Sequence, residues 1–571
     1  MRPGRPIVLA AQSCGRPNHK EARYMATSKI SPAAPTTAPP ASGGAAPQGG
    51  KPATAKKAAV IGMMAFAIMN FTTLVSLRGL PSMAEYGLTS IFYFVFAAVV
   101  FLIPTSLVAA ELAATFPKQG GVFRWVSEAF GPRWGFAALY YQWQAIVIWF
   151  PTVLIYGSVA LAYIFWPESF DKALAANKLY TIAVVLAVYW FVTLFTFRGV
   201  GASARLSSLG GLFGTIIPGG ILIILAGIYV AMGKPIQLPM HTGFLPDFSK
   251  FQNMVLAAGV FLYYAGMEIQ AVHIKNLPNP TRNYPLSVLI AAVMVVVIFI
   301  LGTLAVGIVI PQKDINLNQS LLIAYRDLWS ALSLPWLGNV MALMLVAGVL
   351  GQASALVGGI STGLFTVGKA GYLPRGLQKA NTHAMPVRIL LLQGGVISLL
   401  CVVFAVVPSV QSTYQLLSQM ATIIYLVMYL IMFVAAIRLR YTQPLKRRPF
   451  RIPGGNPGMW AVAVLGLLGS LVAMTLSFVP PKQISTGSPA IYVGVLLVGA
   501  VVFVAIPFIL FSFHKPAWKA ADSDFEPFDW QTEGRKPSQV SKSPPTPPAR
   551  PPVPPVTGAP APATARVPGA A

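Results

Sequence analysis

Apolar runs of about 20 residues recur along the middle of this chain, each long enough to cross a hydrocarbon core of about 30 Å as a helix. They fall near 58–80, 88–114, 133–165, 179–197, 209–232, 254–274, 285–310, 337–367, 387–407, 413–437, 458–479 and 490–513. In lipid every backbone amide and carbonyl needs an internal partner, so each run is expected as a helix and the fold as all-α, with about 12 transmembrane helices. The pattern stops at both ends. Residues 1–57 are rich in Ala, Pro, Gly, Thr and Lys, and residues 514–571 run into "SPPTPPARPPVPPVTGAPAPATARVPGAA". Neither segment carries enough apolar surface for a core, so both are expected as disordered tails around a membrane domain at 58–513. The opening "MRPGRPIVLAAQS" has too short an apolar stretch for a secretory signal, and Met25 offers an alternative start.

Two runs are interrupted by polar or flexible residues. The first contains "MNFTTLVSLRGLP", with Asn70, Thr72, Thr73, Arg78, Gly79 and Pro81; the sixth contains "YYAGMEIQ", with Gly266 two residues before Glu268. Matching interruptions five spans apart predict an inverted repeat, spans 1–5 against spans 6–10, with two helices added. An interrupted helix exposes half-helix ends near the midplane, which suit the carboxylate and ammonium of an amino acid. Gly266, without a Cβ, lets a ligand approach the backbone. Glu268 beside it can take up and release a proton, which makes it the candidate coupling group.

Other polar positions carry less. His273 reads as an interfacial histidine. Tyr425 and Tyr429, four apart, share one helix face. Gln142 and Gln144 lie on different faces of the third span, so at most one points inward. Gln352 and Ser354 enter the eighth span near Gly358 and Gly359, which permit close helix packing. Arg78 and Glu85 flank the outer end of the first span, where a superficial salt bridge or a snorkelling arginine accounts for them.

Composition then narrows the partners. The 571 residues are 55% hydrophobic and only 10% charged, against about 25% charged in soluble proteins, and the mean hydropathy is +0.66. Lys and Arg number 41 against 15 Asp and Glu, a net charge of +26. In a soluble chain that balance would suggest nucleic acid; here basic loops facing an anionic leaflet explain it, and the macromolecular surroundings are membrane lipid. Loops on the side of the two termini hold roughly twice as many Lys and Arg as those opposite, which places both termini in the cytoplasm of a bacterial-type inner membrane. "RLRYTQPLKRRPFR" is the densest basic stretch and reads as a topology anchor. Cys14 and Cys401 give neither metal spacing nor a disulfide. No phosphate loop, metal cluster or nucleotide-binding pattern is present, so no cofactor, no metal and no enzyme activity are expected.

Several stretches resemble a known family. "AAELAATFPKQGGVFRWVSEAFGPRWGF" resembles the second-to-third-span motif of the amino acid–polyamine–organocation superfamily. "YYAGMEIQAVHIKNLPNPTRNYPLS", "GFLPDFSK", "KRRPFRIPGGNPG" and "LSFVPP" resemble its glutamate/GABA antiporter branch. The resemblance covers about 58–513. It implies the twelve-helix fold of sodium-coupled leucine transporters, alternating access, and exchange of an amino acid for another or for its decarboxylation product, with a cytoplasmic decarboxylase as functional partner. It also places Asn70, Phe71, Thr72, Thr73, Tyr264, Ala265, Gly266 and Glu268 at the substrate, Tyr425 and Tyr429 on the transport path, and Gln352 among the substrate-binding positions. In the eighth span the chain departs from the branch: Leu356 stands where a Trp is expected, Gln352 where a Glu is, and Thr362 where a basic residue is. The alternatives on the same scaffold are a proton-coupled amino acid or amine symporter and a transporter-like nutrient sensor.

Overall fold

All twelve expected spans have a helical counterpart, because only a helix satisfies its own backbone in lipid. The computed structural model describes residues 62–164, 168–238, 243–247, 251–270, 277–406, 409–482, 488–523 and 525–532. No strand occurs among them. Nine helices in these segments are long and apolar enough to cross a membrane, or ten when the bent pair Met63–Thr72 and Leu77–Ala84 forms one span. Two shorter apolar helices, Met254–Ile269 and Val387–Cys401, stand where the sixth and ninth spans are expected.

Local chemistry sets the ends. Pro132 opens the third span, Pro132–Ala162, after Gly131 at φ 88°; its ring pre-sets the helical φ, and its missing N–H is one the first turn leaves unused. Ser409 caps the tenth span, Val410–Thr442, by accepting from the Ser412 amide. The "PGG" turn places Gly454 at φ 82° just before the eleventh span, Gly455–Ser477. The third and tenth spans form the centre: 89% and 78% of their apolar windows are buried, against 17% for the twelfth span, Pro489–Ser512.

The fifth span, Gly201–Ala231, and the eighth, which begins at Trp336, meet backbone to backbone. A Cβ on Gly214 would lie 2.0 Å from the Cα of Gly348, and one on Gly210 would lie 2.6 Å from the Cα of Gly351. Gly358 and Gly359 do not make the close approach expected of them: a Cβ on Gly358 would find only ordinary contacts, and one on Gly359 open space. Dispersion between helices that cannot gain from the hydrophobic effect rewards such contact. Gly348→Val is therefore expected to destabilise the protein by more than the ~1–3 kcal/mol typical of core overpacking, with Gly359→Val near neutral. Thermal unfolding of the two purified variants checks this, and equal melting would refute the role given to Gly348.

The basic stretch 438–451 does more than anchor topology. Arg440 donates from Nε and Nη2 to both oxygens of Glu111, each at 2.6 Å. The Ile452 amide donates to the same carboxylate at 2.8 Å, and Arg448 Nε lies 3.5 Å from it. Glu111, at the end of the second span, thus ties that span to the tenth and to the "KRRPFRIPGG" loop.

On this basic side a segment beyond the last span is also held. Residues 515–532, which composition assigns to the tail, lie across the ends of several spans where they are described. The Arg124 guanidinium donates to the carbonyls of Glu526 and Pro527 at 3.0 and 3.1 Å and lies against the rings of Phe525 and Phe528. Asp529 pairs with Lys118 at 3.0 Å and with Lys446. Burial pushes its carboxyl up, but the two ammonium groups outweigh that and hold it below the usual carboxylate value.

Candidate functional site

Two spans are broken, and the breaks meet. The first span's helix ends at Leu74, and Val75 and Ser76 are extended, with ψ 121° and 116°. The chain then resumes as the 3-10 turn Leu77–Gly79 and the helix Leu80–Ala84. In the sixth span the helix Gly259–Tyr263 gives way to a turn at 264–266 before Met267–Gln270. Gly266 has φ 122°, a conformation that glycine adopts without strain. Gly79 is needed for a different reason: a Cβ there would lie 2.6 Å from the Tyr263 ring. Tyr263 also shares a 3.0 Å hydrogen bond with Ser82, so the two broken spans are directly tied.

A cavity of about 40 Å³ lies between them. Leu74, Ser76 and Arg78 line it from the first span; Leu262, Tyr263, Ala265, Gly266 and Ile269 from the sixth. Trp149 of the third span, Leu356 of the eighth and Tyr425 of the tenth complete the wall.

Glu268 sits just behind this wall, 2% exposed. Three donors converge on it. Gln142 Nε2 and Tyr425 Oη donate to Oε1 at 2.8 and 2.7 Å, and Tyr429 Oη donates to Oε2. The Gly266 amide in turn donates to Tyr429 Oη at 2.8 Å. The carboxylate is thereby connected through one phenol to the backbone of the break.

The expected site residues divide. Ala265, Gly266 and Tyr425 line the cavity. Glu268 and Tyr429 form the layer behind it. Tyr264 turns away and donates to the Phe94 carbonyl at 3.2 Å. Asn70, Phe71, Thr72 and Thr73 lie in the helix before the break rather than in it. Asn70 and Thr72 donate to carbonyls one turn back, Phe66 and Ile68, both at 3.0 Å, so these donors are used within the helix. The Asn70 Oδ1 is buried without a partner. Gln352 lines a separate, smaller cavity beside Tyr156 and Gly348. His273 is outside the described residues.

Arg78 overturns its expected place. It forms neither a superficial salt bridge nor a snorkelling contact; it is 2% exposed and is turned into the cavity wall by the bend above it. Sequence reasoning missed it, Trp149 and the contact of Gln142. The available signal was an arginine inside an interrupted apolar run, which is a site marker by default.

An all-α membrane protein whose first and sixth spans break around a shared cavity has the architecture of a secondary transporter. The solved structure of MhsT in complex with L-phenylalanine has the same fold, with a TM-score of 0.51 at 13% identity, covering 72% of this chain and 98% of that one. The amino acid permease profile matches residues 59–503, and the chain belongs to that family. An uncharacterized transporter of Legionella pneumophila is 34% identical over 80% of this chain and 97% of its own length. A glutamate/gamma-aminobutyrate antiporter of Lactococcus lactis strain IL1403 is 33% identical over 80% of this chain and 90% of its own.

Proposed function

We propose that this permease is an amino acid antiporter of the glutamate/γ-aminobutyrate type, working by alternating access in a bacterial inner membrane with both termini cytoplasmic. The observation that carries the reading is the cavity shared by the two broken spans. A solute there touches the extended residue Ser76 and the Gly266 turn at once. Rocking one half of the fold against the other would expose such a site to each side in turn. Glu268 is the proton-coupling residue in this reading, and Tyr425 and Tyr429 transmit its state. The similarity to antiporters named for glutamate and γ-aminobutyrate supports that pair as the exchanged solutes. A cytoplasmic decarboxylase would regenerate the outgoing partner.

Reconstituted protein tests this directly. Liposomes loaded with γ-aminobutyrate are expected to take up labelled external glutamate, and empty liposomes are not. Equal uptake into empty liposomes under a proton gradient would replace exchange by symport. Binding of amino acids without any uptake would leave only a sensor.

A further inference from the structure

We infer that Arg78 is the specificity residue of the cavity, holding the side-chain carboxylate of an anionic amino acid; this rests on reading that cavity as the substrate site. The guanidinium is fixed from several sides. Its Nη1 donates to Thr152 Oγ1 at 2.8 Å and to Tyr414 Oη at 3.4 Å, and its central carbon lies 4.4 Å from the centre of a Trp149 ring. All of these partners are neutral. Among the described residues no carboxylate lies within ion-pair distance of it, and its buried Nε has no hydrogen-bond partner. The other buried arginines differ: Arg440 has Glu111, and Arg124 has Glu128 at 3.8 Å.

A guanidinium taken out of water without a counter-charge is costly, and the cost falls when an anion arrives. Because Arg78 is pre-oriented by Trp149 and Thr152, little further ordering is needed to bind one. The planar fork suits a carboxylate, which it can bind with two parallel N–H donors. The main-chain groups of the breaks remain for the amine. This arrangement also explains how one site accepts both members of the proposed pair. Decarboxylation of glutamate removes the α-carboxylate and leaves the amine and the side-chain carboxylate. A cavity that exchanges the two must read what they share, and Arg78 reads the retained carboxylate.

The test compares binding of L-glutamate, γ-aminobutyrate and L-glutamine to the full-length protein in detergent, by calorimetric titration. Glutamine matches glutamate in size but carries an amide in place of the side-chain carboxylate. Wild-type protein is expected to prefer glutamate over glutamine. Arg78→Gln is expected to weaken glutamate and γ-aminobutyrate together by on the order of 10- to 100-fold, the value of one charge-assisted contact, and to leave glutamine within a few-fold. Should that variant fail to fold, Arg78→Lys decides: it keeps the charge but loses the fork, so a reduced preference supports the assignment and an unchanged one refutes it. Equal weakening of all three ligands at unchanged melting temperature would mean that Arg78 serves the α-carboxylate or the fold alone, and would overturn the inference. So would a wild-type protein that binds neither glutamate nor γ-aminobutyrate. Arginine-dependent discrimination in binding without any exchange in liposomes would instead overturn the antiport reading and leave this one standing.

Discussion

Glu268→Gln is expected to slow exchange by on the order of 10- to 100-fold, corresponding to loss of a charge-assisted hydrogen bond worth ~1.5–3 kcal/mol. Substrate binding should change far less, since the substitution keeps the shape of a side chain that does not itself line the cavity. The reason lies in the donors. Gln142, Tyr425 and Tyr429 all give hydrogen bonds to this one carboxylate, which as an anion only accepts. An amide offers one accepting oxygen and puts an NH2 group against a donor. One phenol must then turn its hydroxyl elsewhere, and if that is Tyr429, the Gly266 amide that donates to it is disturbed as well. The pH profile is the discriminating readout. Exchange in liposomes by the variant should lose whatever pH dependence wild type shows. A variant that is slower but keeps the wild-type profile would remove Glu268 from proton coupling and leave it a positioning role.

Arg440→Met is expected to cost ~3–5 kcal/mol of stability, the usual effect of stranding a buried charge. Glu111 is 2% exposed, so after the substitution it keeps only the Ile452 amide and the more distant Arg448. The pair joins residues 329 positions apart and closes the second span against the tenth. Thermal unfolding in detergent and recovery of monodisperse protein would report the loss. The double variant Glu111→Gln with Arg440→Met should recover part of it, because removing both charges also removes the need to bury either. If the single variant melts with wild type, the pair does not hold these spans together.

The two broken spans show how far a sequence can be read. The break in the sixth was legible because glycine itself is the signal: Gly266 occupies φ 122°, which few side chains permit. The break in the first was displaced. Asn70, Thr72 and Thr73 marked a polar stretch, but a helix absorbs such residues by bonding Asn70 and Thr72 to carbonyls one turn earlier. The chain opens instead at Val75 and Ser76, which nothing local distinguishes. The cluster behind the cavity was half legible. Tyr425 and Tyr429 could be placed on one face by their spacing, yet their common acceptor is 157 and 161 residues away.

Hydropathy and length alone determined that the chain lives in lipid, how many times it crosses and roughly where each helix begins, because backbone satisfaction in hydrocarbon is a local demand that each segment meets by itself. Only the tertiary structure decided which polar groups meet. Arg78 reads as a surface residue until Thr152 and Tyr414, 74 and 336 positions away, are brought to it. Whether a buried charge is paired or left open to a solute depends on how distant helices pack, and no local property of the chain encodes that contact.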